Sequence, residues 1–257
     1  MTSMKLFDLN GRVAIVTGGN AGIGLGIATG LAQAGAAIVI AGRRSAQNSA
    51  ARKAIEALGV KAAAIEADVS DEQSSRSMIE RAAERFGRVD ILVNNAGIAI
   101  RKQPESYTLA EWNEVIETNL TGAFVCAHAA YPHMKRGGGG KIINIGSMLS
   151  IFGTSFAVAY AASKGGIVQM TRALACAWAK DNIQVNAILP GWIDTPFTET
   201  AREQVPGLNE RVVARTPAGR WGNPSDLAGM AIFLASSASD FVTGAALPVD
   251  GGYSAQG

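Results

Sequence analysis

Short runs of consecutive apolar residues, rich in Ile, Val and Ala, recur along the chain and are separated by longer stretches whose apolar positions fall three and four apart. The first pattern suits strands covered on both faces, and the second suits the helices that cover them. Strands are expected at 12–17, 37–41, 61–67, 89–93, 141–146, 184–189 and 245–249, and each of the first six is followed by a helical pattern. Strand and helix in alternation predict an α/β fold, a doubly wound seven-stranded parallel sheet flanked by helices. The glycine run at 137–140 is too short to separate domains, so residues 1–257 read as a single domain.

Two segments depart from the simple pattern. Residues 191–217 hold three prolines and many charges, and they begin just past the carboxyl end of the sixth strand. That edge of an open parallel sheet is where ligands bind, so this segment is the expected substrate lid. The helix over 156–179 is small or apolar nearly all round, with Ala157, Ala161, Ala162, Gly165, Gly166, Ala173, Ala175 and Ala177. Such a helix is expected to be buried on two sides, one against the sheet and the other against a second subunit or within a large monomer core.

Composition narrows the function. With 257 residues, 48% of them hydrophobic, the chain is long enough for a large core. Its net charge of +2 comes from scattered basic residues, which argues against a nucleic-acid surface. No stretch has the length of a membrane span, and the start mixes Lys5 and Asp8 with isolated apolar residues, unlike a secretory signal. Cys126 and Cys176 lie in apolar, helix-like surroundings without the spacing of a zinc site. Both are expected to be buried, reduced thiols of a cytoplasmic protein, and His128 and His133 to be structural.

The chemistry starts after the first strand, where Thr17-Gly18-Gly19-Asn20-Ala21-Gly22-Ile23-Gly24 runs into a helix. Strand, glycine turn and helix in that order aim backbone N–H groups and a helix dipole at a pyrophosphate, as in a Rossmann-like fold. The second strand ends at Ala41-Gly42-Arg43-Arg44, where an NAD site would place a carboxylate on the adenosine ribose. Gly42 would leave room for a 2′-phosphate and Arg43 would bind it with a planar fork of donors, so NADP(H) is expected, with NAD(H) the alternative. Further along, Tyr160 and Lys164 stand four apart on one helix face. A lysine charge beside a phenol favours the phenolate, and the pair can then serve as an acid and base.

With these motifs, Asn94-Asn95-Ala96-Gly97, Asn119, Ser147 and Pro190-Gly191 all in order, the chain resembles the short-chain dehydrogenase/reductase family over nearly its full length. The resemblance implies that Tyr160 exchanges the proton, that Lys164 lowers its pKa and holds the nicotinamide ribose, and that Ser147 orients the reacting oxygen. Ser150 is the alternative to Ser147. Asn119 would complete a proton relay. The resemblance also implies cofactor contacts from Gly18, Asn20, Gly22, Ile23, Gly24, Arg43, Arg44, Asp68, Val69, Asn95, Ala96, Gly97, Pro190, Gly191, Ile193 and Thr195. Of these, Asp68, Asn95 and Thr195 also suit turn or cap positions, the lesser reading for each. A homotetramer is the family expectation, formed through the helices at 110–135 and 156–179 and the carboxyl-terminal segment.

Within the family, residues 139–150, 217–221 and 233–250 look most like bacterial sugar and sugar-acid dehydrogenases of the gluconate 5-dehydrogenase and 2-deoxygluconate 3-dehydrogenase type. The implied reaction interconverts a secondary alcohol and a ketone on a small molecule, a sugar acid or related sugar. A sugar acid needs a cation in a partly dry cleft, and Arg101, then Arg202 in the lid, are the candidates. The alternatives are a 3-oxoacyl thioester reductase, a glucose or polyol dehydrogenase and, outside enzymes, a nucleotide-binding redox sensor.

Overall fold

The computed structural model describes residues 4–256. Seven parallel strands form one sheet in the order β3-β2-β1-β4-β5-β6-β7. They are β1 (Val13–Thr17), β2 (Ala37–Gly42), β3 (Ala62–Glu66), β4 (Ile91–Asn94), β5 (Gly140–Ile145), β6 (Ile183–Pro190) and β7 (Ala246–Val249). Between them lie α1 (Gly22–Gln33), α2 (Ser45–Glu56), α3 (Glu72–Phe86), α4 (Leu109–Ile116), α5 (Gly122–Arg136), α6 (Val158–Trp178), α7 (Pro196–Gln204), α8 (Leu208–Arg215) and α9 (Ala228–Ala235). The expected strands are all present, with ends within about two residues of the positions read from the apolar runs.

The alternation of strand side chains builds two cores. Ala14, Val16, Ile38 and Ile40 face Ile27 and Leu31 of α1, Ile55 of α2 and Leu234 of α9. Val13, Ile15, Val39 and Ala41 face Met78 and Ile79 of α3 and Cys126, Ala130 and Met134 of α5. Burying each such Ile or Leu contributes roughly 1.5–3 kcal/mol, so the covered sheet is a stiff base for whatever its loops carry. Strand order reverses between β1 and β4. The crevice beyond the carboxyl ends of those two strands is therefore the binding edge of the sheet.

The helix carrying Tyr160 and Lys164 is buried on one side only. Ala159, Ser163, Lys164, Ile167, Val168, Thr171 and Ala175 of α6 are covered, whereas Ala162, Gln169, Arg172, Ala173, Cys176 and Ala177 are exposed. Within the single chain the outward face is exposed, so the expected second cover would have to come from another subunit. The same face corrects the reading of the thiols. Cys126 is buried, and burial pushes its pKa up to about 11, while Cys176 is exposed. His133 is bonded to Glu80 at 2.8 Å, and His128 lies 3.4 Å from Arg76. Among the described residues no helix is long and apolar enough to cross a membrane, and no group of His, Cys, Asp or Glu could hold a metal.

Candidate active site

A cavity of about 540 Å³ lies at the sheet edge just described. Its floor is the turn from β1 into α1, where close packing rather than turn geometry alone demands glycine. A Cβ on Gly24 would lie 2.3 Å from the Gly18 carbonyl oxygen, so only glycine lets α1 start this close to the strand. Asn95 holds the same turn from the side, its Nδ2 donating to the carbonyls of Thr17 at 2.9 Å and Gly18 at 3.2 Å. Gly18, Asn20, Gly22, Ile23, Gly24, Asn95, Ala96 and Gly97 all line the cavity, as expected.

At the ribose end the structure alters the expected roles. The space beside Gly42 is filled: a Cβ there would meet Asn20 Nδ2 at 2.9 Å and Asn48 Oδ1 at 3.1 Å. Those two amides bond to each other at 2.6 Å, and Asn48 Nδ2 donates to the Gly42 carbonyl at 2.6 Å. A side chain at position 42 would therefore have to displace the Asn20 and Asn48 amides, and Gly42 does not simply leave room. Arg44, the residue that precedes α2, lines the cavity. Arg43 instead extends to Asp68 at 3.8 Å and is largely exposed. Burial alone would raise the Asp68 carboxyl, but hydrogen bonds from Ser70 and the Arg43 charge bring it below its usual value. Arg43, Asp68 and Val69 are not among the lining residues.

The opposite wall comes from the end of β5 and from α6. Ser147 follows β5 in extended conformation and caps a 3-10 turn at 148–150, its Oγ accepting from the Leu149 N–H at 3.1 Å. Ser150 is committed elsewhere, donating to the Lys164 carbonyl at 2.7 Å and accepting from the Ser147 N–H. Ser147, not Ser150, therefore presents its hydroxyl to the cavity beside Tyr160.

Lys164 is buried, and its Nζ donates to the Ile145 carbonyl at 2.7 Å while lying 5.6 Å from the centroid of the Tyr160 ring. Burial brings its pKa down to about 8. Burial also pushes the Tyr160 phenol above its ordinary value, against the opposing influence of a hydrogen bond with Ser147 and the charge of Arg101. The Lys164 ammonium itself is directed at the strand carbonyl.

Asn119 sits behind this wall, in a π-helical turn at Glu117–Thr121 that joins α4 to α5. Its amide is fully engaged. It accepts from the Ile98 N–H at 2.8 Å and donates to the Ile98 carbonyl at 2.9 Å and Ser163 Oγ at 3.0 Å. Ser163 in turn donates to the Tyr160 carbonyl at 2.7 Å. The side chain thus ties the loop after β4 to α6, which is a positioning role.

The lid contains α7 and α8. Pro190, Gly191, Ile193 and Thr195 line the cavity, and Thr195 also caps α7 by accepting from the Thr198 N–H. Arg202 faces away from it, paired with Asp194 and resting 4.6 Å from the Trp221 ring centroid. Its role is to brace the lid, not to meet substrate.

Arg101 does line the cavity. The loop is fixed on both sides of it, by the Tyr107 hydroxyl donating to the Ile100 carbonyl and by the Lys102 N–H donating to the Phe156 carbonyl. Its guanidinium lies 5.1 Å from the Phe197 ring centroid and 3.4 Å from Gln204 Oε1. No carboxylate among the described residues lies within 4.0 Å of it. Burial pushes its pKa down, opposed by Tyr160 and Tyr107, yet a guanidinium stays charged at any physiological pH. Sequence reasoning missed Phe152, Phe197, Arg215 and Tyr253, which also line the cavity. Only Phe197 and Arg215 carried a signal, their place in the lid.

A family model described as enoyl-(acyl carrier protein) reductase matches residues 18–254. A 2-dehydro-3-deoxy-D-gluconate 5-dehydrogenase from Dickeya dadantii is 43% identical over 254 residues, covering 98% of this chain and 99% of its own. The gluconate 5-dehydrogenase of Gluconobacter oxydans is 38% identical, covering 98% of both chains. The crystal structure of a gluconate 5-dehydrogenase from Burkholderia cenocepacia, in complex with NADP and tartrate, superimposes with a TM-score of 0.94 at 40% identity, over 99% of this chain and 100% of that one.

Proposed function

The chain belongs to the short-chain dehydrogenase/reductase family, and from that premise we propose that it is an NADP(H)-dependent oxidoreductase interconverting a secondary alcohol and a ketone on a sugar acid. The observation that carries the substrate class is Arg101, a charged, partly desolvated guanidinium with no carboxylate partner beside Tyr160. An unpaired cation in such a place is stabilised by an anionic ligand, and the sugar acids named for its relatives supply one.

The cofactor end fits the same reading. The close-packed glycine turn and the start of α1 offer N–H donors to a pyrophosphate, and Arg44, with Arg43 behind it, offers a fork to a 2′-phosphate. When bound, the nicotinamide delivers a hydride to the ketone carbon or takes one from the alcohol. As charge grows on the substrate oxygen, the hydroxyls of Ser147 and Tyr160 donate to it, and Tyr160 passes its proton across. Lys164 holds its charge 5.6 Å from the Tyr160 ring centroid, and the Asn119–Ser163 link fixes the turn of α6 from which Tyr160 projects. A tetramer belongs to the same proposal, the exposed small-residue face of α6 and the half-exposed Phe124 on α5 being surfaces it would cover.

Two measurements test this reading. Arg101→Ala is expected to raise KM about ten- to a hundredfold for an aldonate while leaving the uncharged aldose little changed, since a hydrogen bond to a charged group contributes about 1.5–3 kcal/mol. Equal effects on both, or turnover of uncharged sugars or 3-oxoacyl thioesters alone, would move the substrate to another class. Arg44→Ala is expected to weaken NADP(H) by a similar factor and NAD(H) hardly at all, with Arg43→Ala the smaller of the two effects. Equal affinity of the unmutated protein for both cofactors would remove the phosphate argument.

A further inference from the structure

Arg215, the last residue of α8, faces the same cavity as Arg101 from a different wall. Its Cζ lies 4.4 Å from the ring centroid of Tyr253 and 5.0 Å from that of Phe152. The two rings meet edge to face with centroids 6.3 Å apart. Both rings pack against the same small apolar cluster, and each has a further anchor. Phe152 packs against Met148 in the turn that follows Ser147, within a small cluster that includes Val168 and Leu189. Tyr253 belongs to a terminal turn whose N–H groups, from Gly252 and Ser254, donate to the Asp250 carboxylate at 2.9 and 2.7 Å.

Contact with ring π faces uses none of the five guanidinium N–H donors. It also holds a long side chain in place before any ligand arrives, so less rotamer freedom is lost on binding. No carboxylate among the described residues lies within 4.0 Å of Arg215, whereas Arg12, Arg43, Arg52, Arg76, Arg88, Arg202 and Arg220 each have one. Among the described residues the cavity therefore presents three guanidinium groups without a carboxylate partner: Arg44 before α2, Arg101 against the lid helix α7, and Arg215 against the Ser147 turn and the carboxyl-terminal segment, with Tyr160 lining the space the last two share.

Building on the sugar-acid reading, we propose that Arg215 forms a second anion subsite, and that the preferred substrate is a polyhydroxy acid with an anionic group at each end of its chain. Arg101 takes one terminal group and Arg215 the other, which places an internal carbinol carbon at Tyr160 and Ser147. Because Arg215 is exposed, its contribution is the modest one of a solvent-screened ion pair with good geometry. The expected gain is about tenfold in affinity, equivalent to ~1.4 kcal/mol.

The test is calorimetric titration of the NADPH-bound protein, in which neither acid can be oxidised, with D-glucarate and D-gluconate, six-carbon acids that differ in one terminal group. Glucarate is expected to bind about ten times more tightly, with the ratio falling to near one in Arg215→Gln and to an intermediate value in Arg215→Lys, which keeps charge but loses the fork. A ratio near one in the unmutated protein overturns the proposal whether or not the variants fold, and so does an unchanged ratio in Arg215→Gln. Oxidation of gluconate with NADP⁺, read separately, distinguishes the outcomes. If gluconate is turned over and the ratio is one, only the second subsite falls; if neither acid binds or reacts, the sugar-acid reading falls as well.

Discussion

Replacing Tyr160 by Phe is expected to lower kcat by about a hundred- to ten-thousandfold while changing NADP(H) affinity by no more than a few-fold. The range is the one that positioned proton transfer contributes. The substitution removes one hydroxyl and keeps the ring, which packs 6.2 Å from Phe197 at the lid. Ser147 stays in place because its 3-10 turn is held by Ser150 and Leu149 and not by the phenol. The cavity and the glycine turn therefore survive, and the loss falls on the chemical step alone. A variant keeping more than about a tenth of kcat, a loss under ~1.4 kcal/mol, would mean that another group supplies the proton. Ketone reduction uses the protonated phenol, the form that burial favours. Alcohol oxidation uses the phenolate and is expected to rise with pH over the same range.

Lys164→Met is expected to abolish turnover and yet leave the protein at least as stable as the parent at pH 7. The native pKa is about 8 against 10.5 for an ordinary lysine, and burial is the cause. Between those values the unfolded chain binds more protons than the folded one, so stability rises with pH across that window. Below pH 8 the full cost of burying the charge is present, about 3 kcal/mol at ~1.4 kcal/mol per pKa unit. Removing the ammonium recovers that cost but orphans the Ile145 carbonyl, which gives back about 1–3 kcal/mol. Urea unfolding at pH 7 and pH 10 measures the balance. The variant is expected to compare best with the parent at pH 7 and to lose ground at pH 10. A difference that does not vary with pH, or a variant clearly weaker at pH 7, would show that Lys164 is not strained by burial.

Most of the fold was legible because a sheet covered on both faces leaves short apolar runs, and the glycine turn marked where the first run meets its helix. Local spacing also found Tyr160 and Lys164, and the order of motifs found Ser147 and Asn119. What spacing could not resolve were choices settled by packing across the chain. Which of two adjacent arginines enters the cavity depends on Asn20 and Asn48 filling the space beside Gly42 and on Asp68 drawing Arg43 aside. Arg202 looked like a substrate residue until Asp194 and Trp221 were seen to hold it. The place of Arg215 in the lid did not reveal its partners, and Tyr253 had no local signature as a cavity residue, since the wall they form with Phe152 joins three segments far apart in sequence.

The helix that carries Asn119 has one residue more than a regular hydrogen-bond ladder requires. The N–H of Gly122 reaches back five residues to the Glu117 carbonyl, and on either side the spacing is that of an ordinary α-helix. Deleting any one residue from this turn would give a smoother helix. Because the turn itself takes up the extra residue, Val115 on one side and Cys126 and Met134 on the other could keep their buried places. Asn119, however, would lose the bulged position from which its amide meets Ile98 and Ser163. Length itself is therefore under constraint at this point of the chain, and a codon lost here would be far more damaging than most substitutions, although the helix it produced would look more regular.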